Sequence, residues 1–150
     1  MVPLVLKCGF AKNKNKMLLQ PKRTTYRKYK KGVLPKLEYR ANKLEFGIFG
    51  LKAIESGCIS ARQIESARQA INRKIKRNGR VWIRIFPNLP ITSKPIEVRM
   101  GKGKGSVSHW VARVGAGALL FEIEGISKKL AESALKVGST KLPVKTIIIS

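Results

Sequence analysis

Ser60–Phe86 reads SARQIESARQAINRKIKRNGRVWIRIF, and its two halves obey different periods. Ser60 and Gln63 have the spacing of a capping box, in which a hydroxyl accepts from an orphan amide of the first turn and the Gln side chain reciprocates. Ile64, Ala67, Ile71 and Ile75 follow at steps of three and four, one face of a helix. Asn78-Gly79 marks the stop. The period then drops to two, with Val81, Ile83 and Ile85 on one side and Trp82, Arg84 and Phe86 on the other. One stretch therefore commits the chain to both kinds of element.

Working outward, LEFGIFGLKAI (44–54) alternates as a strand, with Gly47 and Gly50 marking a bend or a close approach. Pro87, Pro90 and Pro95 stiffen a connection that cannot continue a helix. IEVRM (96–100) is expected as a short strand. HWVARV (109–114) and LLFEIE (119–124) flank Gly115-Ala116-Gly117 and are expected to pair as a hairpin. Ser127 can cap a second helix in which Leu130, Ala131, Ala134 and Leu135 face inward and Glu132 pairs with Lys136. VKTIII (144–149) closes as a strand. Five or six strands with two irregularly placed helices predict an α+β fold rather than a doubly wound sheet.

At 150 residues the chain is expected to form a single core, divided here into a basic N-terminal arm and extension (1–43) and an α+β domain (44–150). Its charge is the unusual feature. Thirty-two Lys and Arg face eight Glu and no Asp, a formal net charge of +24. Self-repulsion of that size points to a polyanionic partner. No segment approaches the roughly 18 consecutive apolar residues of a membrane span. Within the arm, Lys22, Arg23, Arg27, Lys28, Lys30 and Lys31 interleave with Tyr26 and Tyr29, cations for phosphates and rings for stacking. The polar helix face adds Arg62, Arg73, Lys76 and Arg77, which together with Arg68 outnumber the acids available to pair with them.

Arg99-Met100-Gly101-Lys102-Gly103-Lys104-Gly105 alternates Gly with Lys and has nothing to bury. Ordering such residues costs about 1–2 kcal/mol each, most for glycine. The run is expected to be a loop ordered by nucleic acid, with its amides close to phosphate and Arg99, Lys102 and Lys104 supplying charge. It lacks the Walker A pattern, and Ser106 stands where a G-x-G-x-x-G motif needs its third glycine.

Catalytic chemistry finds little material. Glu122 and Glu124 share a strand face, expected to be exposed, and His109 beside Trp110 is expected to hydrogen-bond or stack. Cys8 and Cys58, fifty positions apart, are read as two reduced thiols, with no partner at metal-ligand spacing. No catalytic residue, metal or cofactor is expected. Residues 1–16 are too short and too weakly apolar for a secretory signal and lack an amphipathic presequence pattern.

MLLQPKRTTYRKYKKG (17–32), SARQIESARQAINRKIKRNGRVWIRIFPNLPITSKP (60–95), EVRMGKGKG (97–105) and KLPVKT (141–146) together closely resemble the family of the sixteenth large-subunit ribosomal protein. The resemblance covers about residues 17–149. It implies a hammerhead-type α+β fold on large-subunit ribosomal RNA beside the A-site, with neighbouring ribosomal proteins and the A-site tRNA as partners. It implies RNA contacts along Lys22–Lys31 and from the helix at 61–77, and a loop at Arg99–Gly105 reaching towards the peptidyl-transferase centre. In some bacterial members the arginine matching Arg99 is hydroxylated. The chain departs from the family pattern at VLPKLEYRANKLE (33–45), where more Arg and Gly are usual, and in residues 1–16, which precede the family's start. TSKPIEVRMGKGKG and WVARV look more mitochondrial than plastid. The expected role is a structural constituent of the large subunit in a mitochondrial ribosome, with a plastid or bacterial cytoplasmic ribosome as the alternative source. The alternative class is a free-standing nucleic-acid-binding protein, such as a nucleoid factor or RNA chaperone. No homo-oligomer is expected.

Overall fold

A computed structural model of the protein describes residues 19–150. The expectations for Cys8 and for the 1–16 extension lie outside them. In chain order the elements are β1 (Phe49–Ala53), β2 (Gly57–Ser60), α1 (Ala61–Lys74), β3 (Arg80–Ile83), β4 (Leu89–Ser93), β5 (Ser106–Val114), β6 (Leu119–Glu124), α2 (Lys128–Ser139) and β7 (Thr146–Ile149). The strands form two antiparallel sheets, one ordered β3-β6-β1-β7 and the other β2-β5-β4. The fold is α+β, as the change of period predicts.

Register explains the core. Ile83, Phe121, Leu51 and Ile148 lie side by side across the four-stranded sheet and face the helices. They meet Ile64, Ala67 and Ile71 of α1 and Ala131, Ala134 and Leu135 of α2. Each large side chain fully buried here contributes about 1.5–3 kcal/mol. The helices approach closely at Gly138, where an added Cβ would come within 2.7 Å of the Ile71 side chain. Ser60 caps α1 as expected, its backbone N–H donating to Gln63 Oε1 at 2.8 Å and its hydroxyl accepting from the Gln63 N–H at 3.3 Å. Ser127 occupies the N-cap of α2, but its side chain makes no cap hydrogen bond.

Five expectations need correction. The strands at 109–114 and 119–124 do not form a hairpin, because β5 and β6 belong to different sheets. The turn between them satisfies its backbone elsewhere: Ala116 N–H donates to Lys36 O at 3.1 Å, Gly117 N–H to Ala53 O at 2.7 Å, and Leu119 N–H to Ala41 O at 2.8 Å. IEVRM is a turn, not a strand. The segment is closed instead by Val98 N–H donating to Pro95 O at 3.2 Å. The strand beside β5 is instead β4, which contains Pro90; an edge position tolerates that missing donor. Arg68 is not short of an acid, since its guanidinium holds both Glu65 oxygens at 2.8 and 2.6 Å.

The fifth correction is Glu122, which is fully buried rather than exposed. Trp82, Glu122, Gly50 and Ile149 form the row on the sheet's far face, and the segment ahead of β1 folds over it. Glu122 Oε2 accepts from the backbone N–H groups of Phe46 at 2.7 Å, Gly47 at 2.8 Å and Glu45 at 3.3 Å. Its Oε1 accepts from Arg84 at 2.5 Å, and Arg84 also reaches Glu45 at 3.0 Å. Arg84 lies over the Phe46 ring, which stacks on Trp82. A buried carboxylate thus stands where strand alternation promised a wet one, and it fastens the incoming chain to the sheet.

Candidate nucleic-acid interface

The arm runs beside β5. Thr24, Arg27 and Lys28 share a shallow groove with Ser106, Val107 and Trp110, and Gly32 lies against the Arg113 guanidinium. Tyr26 and Tyr29 meet edge to face at 6.0 Å, and both remain exposed. Leu19, the first described residue of the arm, is buried in the core cluster at 5% exposure. Further along, Glu38 N–H donates to Ala116 O at 2.9 Å.

The structure brings the arm and the Gly-Lys loop together. Lys28 Nζ donates to Lys104 O at 2.8 Å, while Lys104 Nζ donates back to Tyr29 O. Within the loop's own base, Lys94 Nζ donates to Gly101 O. Lys94 carried no signal in the sequence, because a single lysine in a proline-rich stretch has no period to mark it. These contacts occupy carbonyls with ammonium groups. The ion pairs found among the described residues, Arg68–Glu65, Arg84–Glu45, Arg84–Glu122 and Lys145–Glu55, include no cation of the arm or the loop.

The loop's glycines answer two separate needs. Gly101 and Gly103 have φ of +97° and +85°, with open space where a Cβ would stand. Lys102 between them is also left-handed, at +50°. Gly105, just ahead of β5, is a packing position, where a Cβ would come within 2.5 Å of Ser93 O at the end of β4. Arg99, Met100, Lys102 and Lys104 are all exposed.

Arg62, Arg73, Lys76 and Arg77 stand on the solvent face and C-terminal end of α1. Lys76 and Arg77 take φ of +51° and +65°, a conformation that costs about 1–2 kcal/mol per non-glycine residue. Hydrogen bonds among the described residues tie none of these four to the arm or the loop. Arg68, beside them, is engaged with Glu65. Burial pushes the Glu65 carboxyl up, but hydrogen bonds from Arg68 and Gln69 outweigh it and hold the group below the usual carboxylate range. His109 is exposed, with Nδ1 3.3 Å from Ser108 Oγ.

No group of three or more His, Cys, Asp or Glu gathers among the described residues, and no helix is long and apolar enough to cross a membrane. Cys58 is a half-buried free thiol.

Comparison with known proteins now decides the family. The family described as ribosomal protein L16p/L10e matches residues 21–149. This chain belongs to that family. The large ribosomal subunit protein uL16 of Bartonella henselae is 58% identical over 132 residues, 88% of this chain and 96% of that protein. The uL16 of Bartonella quintana is 57% identical over the same shares. That of Halorhodospira halophila is 53% identical over 133 residues, 89% of this chain and 97% of its own. The L16p/L10e match takes in the arm from Pro21, the Gly-Lys loop and α1 alike.

Proposed function

We propose that this chain binds large-subunit ribosomal RNA through the surface formed by its arm, its Gly-Lys loop and the cationic face of α1. As a member of the L16p/L10e family it is a structural, non-enzymatic constituent of the large ribosomal subunit. The observation that carries the RNA reading is the clasp of Lys28 and Lys104, which sets two cationic segments side by side with no acid between them. Unneutralised cations sharing backbone carbonyls suit an external phosphate backbone better than any internal partner. Lys22, Arg23, Arg27, Lys30 and Lys31 contact phosphates along the arm, and Arg62, Arg73, Lys76 and Arg77 do so from α1. Residues 1–43 act as the RNA-binding arm and 44–150 as the domain that holds it.

The loop, Arg99–Gly105, lies near the A-site tRNA and the peptidyl-transferase centre in this reading. Its exposure and its left-handed backbone support a role in which the main chain approaches RNA closely. The source is a mitochondrial ribosome, on the strength of the residues ahead of the family match and the mitochondrial character of 92–114. A bacterial ribosome is the second reading, favoured by the bacterial origin of the relatives. The test is to incorporate Gly103→Val and Lys102→Ala proteins into large subunits and compare assembly with A-site tRNA binding. Gly103→Val is expected to impair tRNA binding more than Lys102→Ala, with assembly intact. Normal tRNA binding by Gly103→Val subunits would reduce the loop to a spacer. Co-sedimentation with mitochondrial large subunits tests the source.

A further inference from the structure

β7 is an edge strand: β1 takes its hydrogen bonds on one side, and no described strand lies on the other. Proteins ordinarily blunt such an edge with charge, proline or a bulge. Thr146–Ile149 reads TIII and carries none of these, and Ile147 is 52% exposed. Along this edge runs an open groove with Phe49, Ile148 and Ile149 as its apolar lining, and Lys128, Lys129 and Lys136 of α2 on its rim against the single acid Glu132.

Register fixes what a ligand would meet there. Ile148 pairs with Leu51 and points to the helix side, while Ile147 and Ile149 pair with Lys52 and Gly50 and point the other way. A strand laid along β7 would therefore send alternate side chains towards the three lysines and towards exposed Ile147. We propose that this edge docks an extended segment of a neighbouring protein by strand addition, with acidic and apolar side chains alternating along it. The free edge favours a polypeptide, because only a peptide backbone supplies the matching ladder of donors and acceptors. The excess of lysine over glutamate selects acid on one face, and Ile147 selects apolar residues on the other. RNA phosphate would suit the lysines but not the strand edge.

The full chain is titrated by fluorescence anisotropy with a synthetic peptide of alternating Glu and Val, about six residues long so as to span the four-residue β7. Two controls are a peptide of the same composition with Glu and Val in blocks, and the alternating peptide with its backbone N-methylated. The alternating peptide is expected to bind at least about tenfold more tightly than either control, a 1.4 kcal/mol difference. Lys128→Glu/Lys129→Glu and, separately, Ile147→Lys are each expected to weaken it about tenfold. Acidic residues suit the first turn of α2, so the double variant should melt as the parent does. Equal binding of alternating and block peptides would reduce the effect to bulk charge and overturn the proposal. So would an Ile147→Lys protein that binds normally. A Lys128→Glu/Lys129→Glu protein that loses more affinity for ribosomal RNA than for the peptide would assign the groove to RNA instead.

Discussion

Glu122 and Lys104 show how differently this chain treats charge in two of its regions. Glu122 is fully buried in the four-stranded sheet and meets three backbone N–H groups and a guanidinium. Lys104 stands exposed in the loop, and the partners it shares with Lys28 are carbonyl oxygens that neutralise nothing. In the first region the fold supplies the counter-charge; in the second it supplies only position. The difference teaches where to look for the missing partner of a +24 chain. Charges with internal partners should govern stability, and charges without them should govern binding.

The comparison breaks most visibly if Glu122 proves dispensable. Glu122→Ala leaves three amides without their acceptor and Arg84 with Glu45 alone, which should cost about 3–5 kcal/mol. Urea denaturation measures it, and a loss under about 1 kcal/mol would mean the carboxylate is not holding the 45–47 segment. Next in size are two glycines of the loop. Gly105→Ala drives a methyl group into the Ser93 carbonyl and should cost about 1–3 kcal/mol of stability. Gly103→Ala, in open space, meets only the left-handed backbone and should cost about 1 kcal/mol, the low end of that conformation's cost. Thermal melts of the two proteins rank them, and the reverse order would contradict the assignment of Gly105 to packing.

The clasp sharpens the comparison at lower energy. Lys28→Met and Lys104→Met should each change stability by less than about 0.5 kcal/mol, as exposed substitutions do. Their effects on RNA affinity should be non-additive by at least about 0.5 kcal/mol, since either change alone opens the arm–loop clasp. Additive losses would make the two lysines independent phosphate ligands. The smallest effect belongs to Glu65. Its folded carboxyl titrates below the unfolded one, so its stabilisation is present above the ordinary carboxylate range and disappears as pH falls through the folded value. Arg68→Ala should remove that acid-side loss, worth only about 0.3–0.5 kcal/mol for a pair along one helix. A pH series of melting temperatures reads it.

Much of this arrangement was legible in the residues themselves. The Ser60–Gln63 box and the Ile64–Ile75 spacing located α1, and the alternation of 80–86 placed Trp82 and Arg84 opposite Val81 and Ile83. What escaped were features of long-range pairing. Glu122 looks wet because alternation reports which residues share a face, not what covers that face. β4 looked like a connection because Pro90 is read as a breaker until its edge position is known. Gly115–Gly117 looked like a hairpin turn because local chemistry cannot tell a turn within one sheet from a passage between two. The arm and loop were visible as separate basic runs, yet their meeting through Lys28 and Lys104 spans 76 residues and leaves no local trace.

The central claim is that the cations of arm and loop bind RNA phosphates while contributing almost nothing to the fold. It is tested most directly by the salt dependence of ribosomal RNA binding, measured for the parent chain and for one in which Lys22, Arg23, Arg27, Lys30, Lys31 and Lys102 are glutamine. The account predicts a steep parent slope in log affinity against log salt, reduced in the variant by about 0.7–0.9 for each phosphate no longer neutralised, at an unchanged melting temperature. An unchanged slope, or a melting temperature that falls together with affinity, would contradict it.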